Sequence, residues 1–417
     1  MSDPRSNAVS PEDKHAFRAR LERIDRFMAD EYVGPGKLAG SLVQVWRHGE
    51  LAFTSLQGMA DREREVPLAE DTIFRIYSMS KPITSVAFMM LFEEGRFALD
   101  EPVSRFIPEW ADLQVFESGQ LGAFQTRPAS RPMQLVDLMR HTSGLTYGFQ
   151  QRSPVDAAYR ELKLGGVDTH GTLDTMISAL AGLPLEFSPG EAWNYSVSTD
   201  VLGYLVGKIS GMPFEQFLRE RIFGPLGMTD TAFHVPDDKV QRFSGCYTIG
   251  QLGGASATGS KPALQDDPRD SHYLKPPSFV SGGGGLVSTA ADYMRFARML
   301  LAGGTLDGVR IIGRKTLELM TANHLPGGVD LPQLSRSMFS EAAYHGVGFG
   351  LGFATTQVAS RTLVPGNAGD FFWGGAASTF FWVDPKEDMI VLLLTQLIPS
   401  SAYPLRRQLR TLVYSAL

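Results

Sequence analysis

The chain is 417 residues long, with 39 basic and 45 acidic side chains and a net charge of −6. A mildly acidic chain without a Lys/Arg run excludes nucleic acid as a main partner, and a single cysteine, Cys246, excludes an intramolecular disulfide. Glycine is in excess at 43 residues, while an aromatic content of 10% is too high for a disordered chain.

Residues 1–9 lead into a helix that Ser10 caps, with Pro11 in its first turn and Asp13 completing a capping-box-like pattern. Phe17, Leu21, Ile24 and Met28 then recur at helical spacing. No signal-peptide core precedes them. Residues 40–46 and 51–56 flank His48-Gly49 and predict a hairpin. Ser78-Met79-Ser80-Lys81-Pro82 opens residues 83–94, which are apolar almost all round and predict a buried central helix ended by Gly95. Residues 134–140, 199–209 and 214–222 predict further helices. Residues 251–275, rich in Gly, Ala, Ser, Asp and Pro, predict a long surface loop.

After Gly282 to Gly285, Thr289 and Asp292 mark a helix start, with Tyr293, Phe296, Ala297, Leu300 and Leu301 on one face. Strands are expected over 345–353, 378–383 and 389–396, with 384–388 as the turn between the last two. A helix over 403–416 closes the chain. The longest apolar stretch, 389–398, falls well short of the ~20 residues that span a bilayer, so a cytoplasmic protein with no membrane partner is expected. Strand-rich ends and a helical middle predict an α/β (α+β) fold, with an antiparallel sheet flanked by terminal helices. Residues 1–99 and 276–417 would form that domain and 100–275 a helical insertion with long loops, the active site lying at their junction.

Ser78 and Lys81 stand three apart and share a helix face. A serine hydroxyl attacks only when another group takes its proton. A buried lysine one turn along can have a lowered pKa and help do so, and the helix start offers N–H groups to a developing oxyanion. Of the ten lysines only Lys81 has serine three before it. A helix cap followed by a solvated lysine is the plain alternative, but a lysine entering the most apolar helix of the chain should not be idle. Tyr195, in Trp193-Asn194-Tyr195-Ser196, could share the proton network of Lys81 as general base and acid; taken alone it reads as a packing residue. In Trp373-Gly374-Gly375-Ala376, glycines beside an edge strand would let a substrate approach the backbone, with the Ala376 N–H as an oxyanion donor. A strand-entry turn is the alternative there.

No G-x-S-x-G elbow, no H-E-x-x-H and no close histidine pair occurs, so an α/β-hydrolase and a metal site are unsupported. No cofactor is expected. Cys246 is expected to pack as a small side chain. Gly346, Gly348, Gly350 and Gly352 alternate on a strand and are not a dinucleotide fingerprint, because no helix start follows.

In this order the three motifs resemble the serine β-lactamase and penicillin-binding-protein superfamily, most of all its class C branch and, within it, the family VIII carboxylesterases. His141-Thr142-Ser143-Gly144-Leu145, Pro225-Leu226-Gly227-Met228-Thr229, Gly284-Gly285-Leu286-Val287-Ser288-Thr289 and Phe381-Trp382-Val383-Asp384-Pro385 are similar to segments of that branch. The resemblance implies a β-lactamase/transpeptidase-like fold. It implies that Ser78 attacks an acyl carbonyl, that Lys81 and Tyr195 manage the proton with Tyr195 as base, and that the oxyanion lies between the N–H groups of Ser78 and Ala376. Trp373, Gly374 and Gly375 would border the substrate, and the glycine clusters would lie near the sheet edge as backbone open to it. Two positions depart from β-lactamases of this branch. Trp373 stands where they carry lysine, offering an apolar wall in place of a carboxylate partner, and Val197 stands where they carry asparagine.

Both departures point from β-lactams toward simple esters. The expected function is a serine carboxylesterase acting on short-chain acyl esters, with a small-molecule ester as its partner. The alternatives are an acyltransferase on the same site, similar to the statin-side-chain acyltransferases, a weak β-lactamase or D-aminopeptidase, and a penicillin-recognition-like binding module without turnover.

Overall fold

The computed structural model describes residues 10–165, 169, 171–250, 261–336 and 344–417, and its first element is the helix that the sequence predicts. The Ser10 hydroxyl accepts from the Asp13 N–H at 3.1 Å, opening α1 (Pro11–Leu21). A short helix, Arg23–Met28, follows, and Phe17, Leu21, Ile24 and Met28 are all buried. Strands β1 (Gly40–Arg47) and β2 (Glu50–Asp61) run longer than expected. Their turn has positive φ at His48 and Gly49, which matches the twist of the flanking strands. Then come β3 (Val66–Pro67), α2 (Ser80–Glu93), α3 (Ser198–Ser210) and α4 (Ala290–Leu301). Helix α2 is buried from Ser80 through Leu91, and α3 packs against it. Thr289 caps α4 by accepting from the Asp292 N–H at 3.3 Å.

The C-terminal part supplies β4 (Val347–Phe349), β5 (Ala354–Thr356), β6 (Phe371–Gly374), β7 (Phe380–Asp384), β8 (Met389–Leu394) and α5 (Leu405–Tyr414). Eight strands form one antiparallel sheet in the order β4-β5-β6-β7-β8-β1-β2-β3. The fold class is therefore the expected one. The distant parts of the chain meet where Leu42 pairs with Leu394 and Val45 with Val391. Side chains alternate across the sheet, so β6 and β7 present Phe372 and Trp382 to one face and Trp373 and Phe381 to the other. Tyr414 of α5 packs on Trp382, and Tyr293 of α4 on Phe381.

Several local expectations differ from what forms. Residues 251–260 lie outside the described residues, but the expected loop ends in a strand, Ala263–Asp266, paired with Cys246–Thr248. A Gly- and Pro-rich composition does not prevent a short strand when a partner edge is present. The strand expected over 345–353 stops at Phe349. Gly350 donates its N–H to the Phe353 carbonyl at 2.7 Å, and Gly352 takes φ +98°, so the alternating glycines turn the chain into a hairpin. The helix expected over 214–222 holds as Phe214–Leu218 and widens into a π-turn, Arg219–Phe223. Among the described residues no helix is long and apolar enough to cross a membrane.

Candidate active site

Ser78 is delivered by a strained turn. A two-residue strand, Phe74–Arg75, pairs with Val287–Ser288, and the Ile76 N–H donates to the Leu286 carbonyl at 3.1 Å. Tyr77 then adopts φ +42°, a region that bulky L-residues avoid and that costs energy to hold. Its ring is buried with Cys246, Ala377 and Ile398, so Cys246 packs as expected. The 3-10 turn Tyr77–Met79 feeds directly into α2. Neighbours fix this entry: the Tyr293 hydroxyl donates to the Met79 carbonyl at 3.0 Å, and the Leu286 N–H donates to Ser80 Oγ at 3.2 Å. Between Thr72 and Leu91 every residue is buried except Ser78.

Lys81 lies one turn on, fully enclosed. Its Nζ is 3.3 Å from Ser78 Oγ, 3.0 Å from the Tyr147 hydroxyl and 2.6 Å from the Gly283 carbonyl oxygen. It also lies over the Tyr195 ring, 4.5 Å from the centroid. Burial pushes its pKa down from 10.5 to about 7, against the opposing charge of Asp200. That fall corresponds to about 5 kcal/mol of added preference for the neutral amine. The contacts suit a neutral amine well. Its two N–H groups serve Gly283 and Tyr147, leaving a lone pair toward the Ser78 hydroxyl.

Tyr195 meets the same pair. Its hydroxyl pKa is raised by burial, while hydrogen bonds with the Ser78 side chain and the Trp373 indole pull it the other way. Trp373 donates from Nε1 to the Tyr195 oxygen at 3.4 Å and packs edge-on against Phe349. The indole is thus more than the apolar wall expected of it, because its polar edge holds the tyrosine. Behind Tyr195, the buried His141 ring packs at 4.9 Å and shares a hydrogen bond with Ser196 Oγ at 3.1 Å. Burial holds that imidazole neutral. Val197 is fully buried and closes over Gly165, where an added Cβ would sit 2.0 Å from its Cγ1.

The amides of Ser78 and Ala376 have no hydrogen-bond partner among the described residues. Strand β5 pairs with β6 at Phe371 and Phe372, and among the described residues no strand pairs with the chain from Trp373 onward on that side. Gly374 and Ala376 are half-buried, whereas Gly375 between them is buried. An added Cβ on Gly375 would meet the Ile76 carbonyl oxygen at 2.5 Å, which sets this segment against the turn carrying Ser78. Ser78, Lys81, Tyr195, Trp373 and the Gly374–Ala376 segment are therefore brought together at one place.

The glycines read differently from expectation. A Cβ on Gly282 would meet the Thr199 carbonyl oxygen at 2.7 Å, on Gly350 the Met320 carbonyl oxygen at 2.1 Å, and on Gly352 the Ser85 hydroxyl at 2.3 Å. Protein atoms occupy the space, so these glycines allow close packing of backbone around the site and are not surface open to substrate.

Sequence reading missed Tyr147 and Asp200. The buried Asp200 carboxylate accepts from Ser281 Oγ at 2.5 Å and from the Gly283 N–H at 3.0 Å. Burial, and then the charge of Asp200, raise the pKa of the Tyr147 hydroxyl. One signal was available: Asp200 is the lone acidic residue of a mostly apolar helix.

Residues 23–414 match the family model described as Beta-lactamase. Protein Rv1367c of Mycobacterium tuberculosis is 38% identical over 372 residues, covering 88% of each chain. Esterase EstB of Burkholderia gladioli is 30% identical, covering 97% of this chain and 96% of its own. Among solved structures, EstCE1, described as a hydrolase with promiscuous acyltransferase activity, superposes with a TM-score of 0.76 at 26% identity, over 97% of this chain and 100% of its own.

Proposed function

The chain belongs to the beta-lactamase family, and from that premise we propose that it is a serine carboxylesterase cleaving short-chain acyl esters through an acyl-enzyme on Ser78. One observation carries the reading. Ser78 is the single accessible side chain in a buried run, and it faces an amine that burial brings to half-deprotonation near pH 7. A helix cap beside a solvated lysine would show neither feature. The esterase relative and the indole at position 373, which supplies no cation for a substrate carboxylate, support a neutral ester as substrate.

The chemistry follows from the contacts. Ser78 Oγ gives its proton to the Lys81 lone pair and bonds to the acyl carbon, and the carbonyl oxygen becomes an oxyanion between the Ser78 and Ala376 N–H groups. When the ester C–O bond breaks, the leaving alkoxide takes the proton of the Tyr195 hydroxyl, which Lys81 restores. The raised Tyr195 pKa makes it a proton carrier more than a standing base, a different division of labour from the one the family resemblance implied. Water activated by the same pair then bonds to the acyl carbon and releases Ser78. Trp373 holds Tyr195 in place, with Gly374 and Gly375 beside the substrate. Site and substrate meet where the sheet domain borders the helical region of residues 100–275. An alcohol in place of water would complete acyl transfer, a second reading that the description of EstCE1 favours.

The test is a panel of p-nitrophenyl esters from acetate to decanoate, beside nitrocefin, on the wild type and Ser78→Ala. Turnover is expected to be fastest with short acyl groups and to vanish in Ser78→Ala. Ester hydrolysis that survives Ser78→Ala, or nitrocefin cleaved faster than any ester, overturns the reading.

A further inference from the structure

Two glycines precede Ala376, and the steric reason for the first lies on the other side of the sheet. An added Cβ on Gly374 would sit 2.7 Å from the guanidinium carbon of Arg406. Arg406 belongs to α5 and is buried. Its Nη2 donates to the Gly375 carbonyl oxygen at 2.8 Å and to the Thr379 carbonyl oxygen at 3.0 Å. The guanidinium also lies over the Phe380 ring, 5.3 Å from its centroid.

The Gly375 carbonyl and the Ala376 N–H are the two ends of one peptide unit. In a trans peptide they point in opposite directions. A cation seated on the oxygen therefore turns the N–H away from α5, and that N–H has no partner among the described residues. The Ser378 N–H also donates to the Gly375 oxygen, at 3.2 Å, and the Gly375 N–H donates to the Thr379 carbonyl at 2.9 Å. The oxygen end of the unit is thus held by two donors, and the peptide before it by a third bond. A charge-assisted bond to the oxygen also polarises the peptide and strengthens its N–H as a donor.

We propose that Arg406 is the positioning residue of the oxyanion hole, gripping the Gly375–Ala376 peptide from behind so that the Ala376 N–H faces the reacting carbonyl. The proposal rests on the reading of Ser78 as nucleophile. It accounts for Gly374 as the gap through which the guanidinium reaches the backbone. It assigns α5 a part in the reaction, although no atom of Arg406 touches substrate.

Four forms of the full chain test it with p-nitrophenyl acetate: wild type, Ser78→Ala, Arg406→Ala and Arg406→Gln. Losing one oxyanion donor costs about 10²–10³ in kcat. Here the donor stays and only its aim and polarity are lost, so kcat in Arg406→Ala is expected to fall about 10- to 100-fold with KM within about twofold. Millimolar guanidinium should restore kcat in Arg406→Ala and leave the wild type unchanged. If Arg406→Ala does not fold, Arg406→Gln, which keeps a donor without the charge, is expected to lose about tenfold in kcat at constant KM. An unchanged kcat in a folded variant overturns the proposal. So does a fall in kcat that follows the melting temperature and shows no guanidinium rescue, the mark of a turn brace alone. Activity persisting in Ser78→Ala would instead remove the esterase reading beneath it.

Discussion

Lys81 and Arg410 are both buried cations, set on opposite sides of the same sheet. Arg410 of α5 lies over the rings of Phe372 and Trp382. It forks onto the Asp370 carboxylate, with Nη1 to Oδ2 at 2.9 Å and Nη2 to Oδ1 at 3.1 Å. Burial opposes its charge, but the charge and hydrogen bonds of Asp370 raise its pKa, so the guanidinium keeps its proton. Lys81 meets only neutral oxygens, and the Asp200 carboxylate acts on it by charge and through the Gly283 backbone. Burial then wins, and the amine approaches half-deprotonation at neutral pH. A fitted carboxylate turns a buried cation into structure. Withholding one turns it into a base.

The sharpest way to break this contrast is to remove each cation in turn. Lys81→Met should lower kcat for p-nitrophenyl acetate by about 10³-fold or more, the scale of lost acid–base catalysis, with the melting temperature nearly kept. Arg410→Met should do the reverse. It strands the buried Asp370 carboxylate and costs about 3–5 kcal/mol of stability in chemical denaturation. Equal stability losses in the two variants would erase the distinction.

A smaller effect probes the hold on Lys81. Tyr147→Phe removes the hydroxyl that accepts from Lys81 and should lower kcat about tenfold, roughly the worth of one hydrogen bond. Wild-type activity there would show that the Gly283 carbonyl alone holds the amine.

The smallest effects are shifts along the pH axis. With neutral Lys81 as proton acceptor, kcat/KM should rise through about pH 7. The Asp200 charge raises the Lys81 pKa, so Asp200→Asn should move that rise to lower pH, and a move to higher pH would contradict the assignment. The same group leaves a mark on stability. Lysine in the unfolded chain keeps its proton to 10.5, whereas Lys81 in the folded protein gives it up near 7. Between those values the unfolded chain binds more protons, so this group makes stability rise with pH. Denaturation of Lys81→Met should lack that contribution.

Within four residues of chain the site was legible from spacing alone; Tyr195, Trp373 and Ala376 gained weight only from the order of their motifs, and the remaining members were not read. Ser78 and Lys81 announce themselves by spacing and by the apolar helix they open. Tyr147, Asp200 and Arg406 reach the same place from other elements, and no local pattern marks Tyr147 or Arg406. The sheet was legible through its hairpins, β1–β2 and β7–β8, where alternation and turn residues coincide. Strand β6 was not among the expected strands, because Phe371-Phe372-Trp373-Gly374 is short and apolar on both faces. The glycines were legible as special positions, but their purpose depends on atoms distant in sequence, such as the Arg406 guanidinium behind Gly374.

The pairing of β1 with β8 has a consequence for the order of events at the ribosome. Synthesis delivers the β1–β2 hairpin long before its partner edge, Met389–Leu394. Until then the backbone of Leu42–Arg47 is an open strand edge, a hazard for association with other nascent chains. Ser78 and Lys81 emerge early too, but the strand leading to Ala376 comes long afterwards. A growing chain is therefore adhesive before it is competent, and two different late strands end the two conditions.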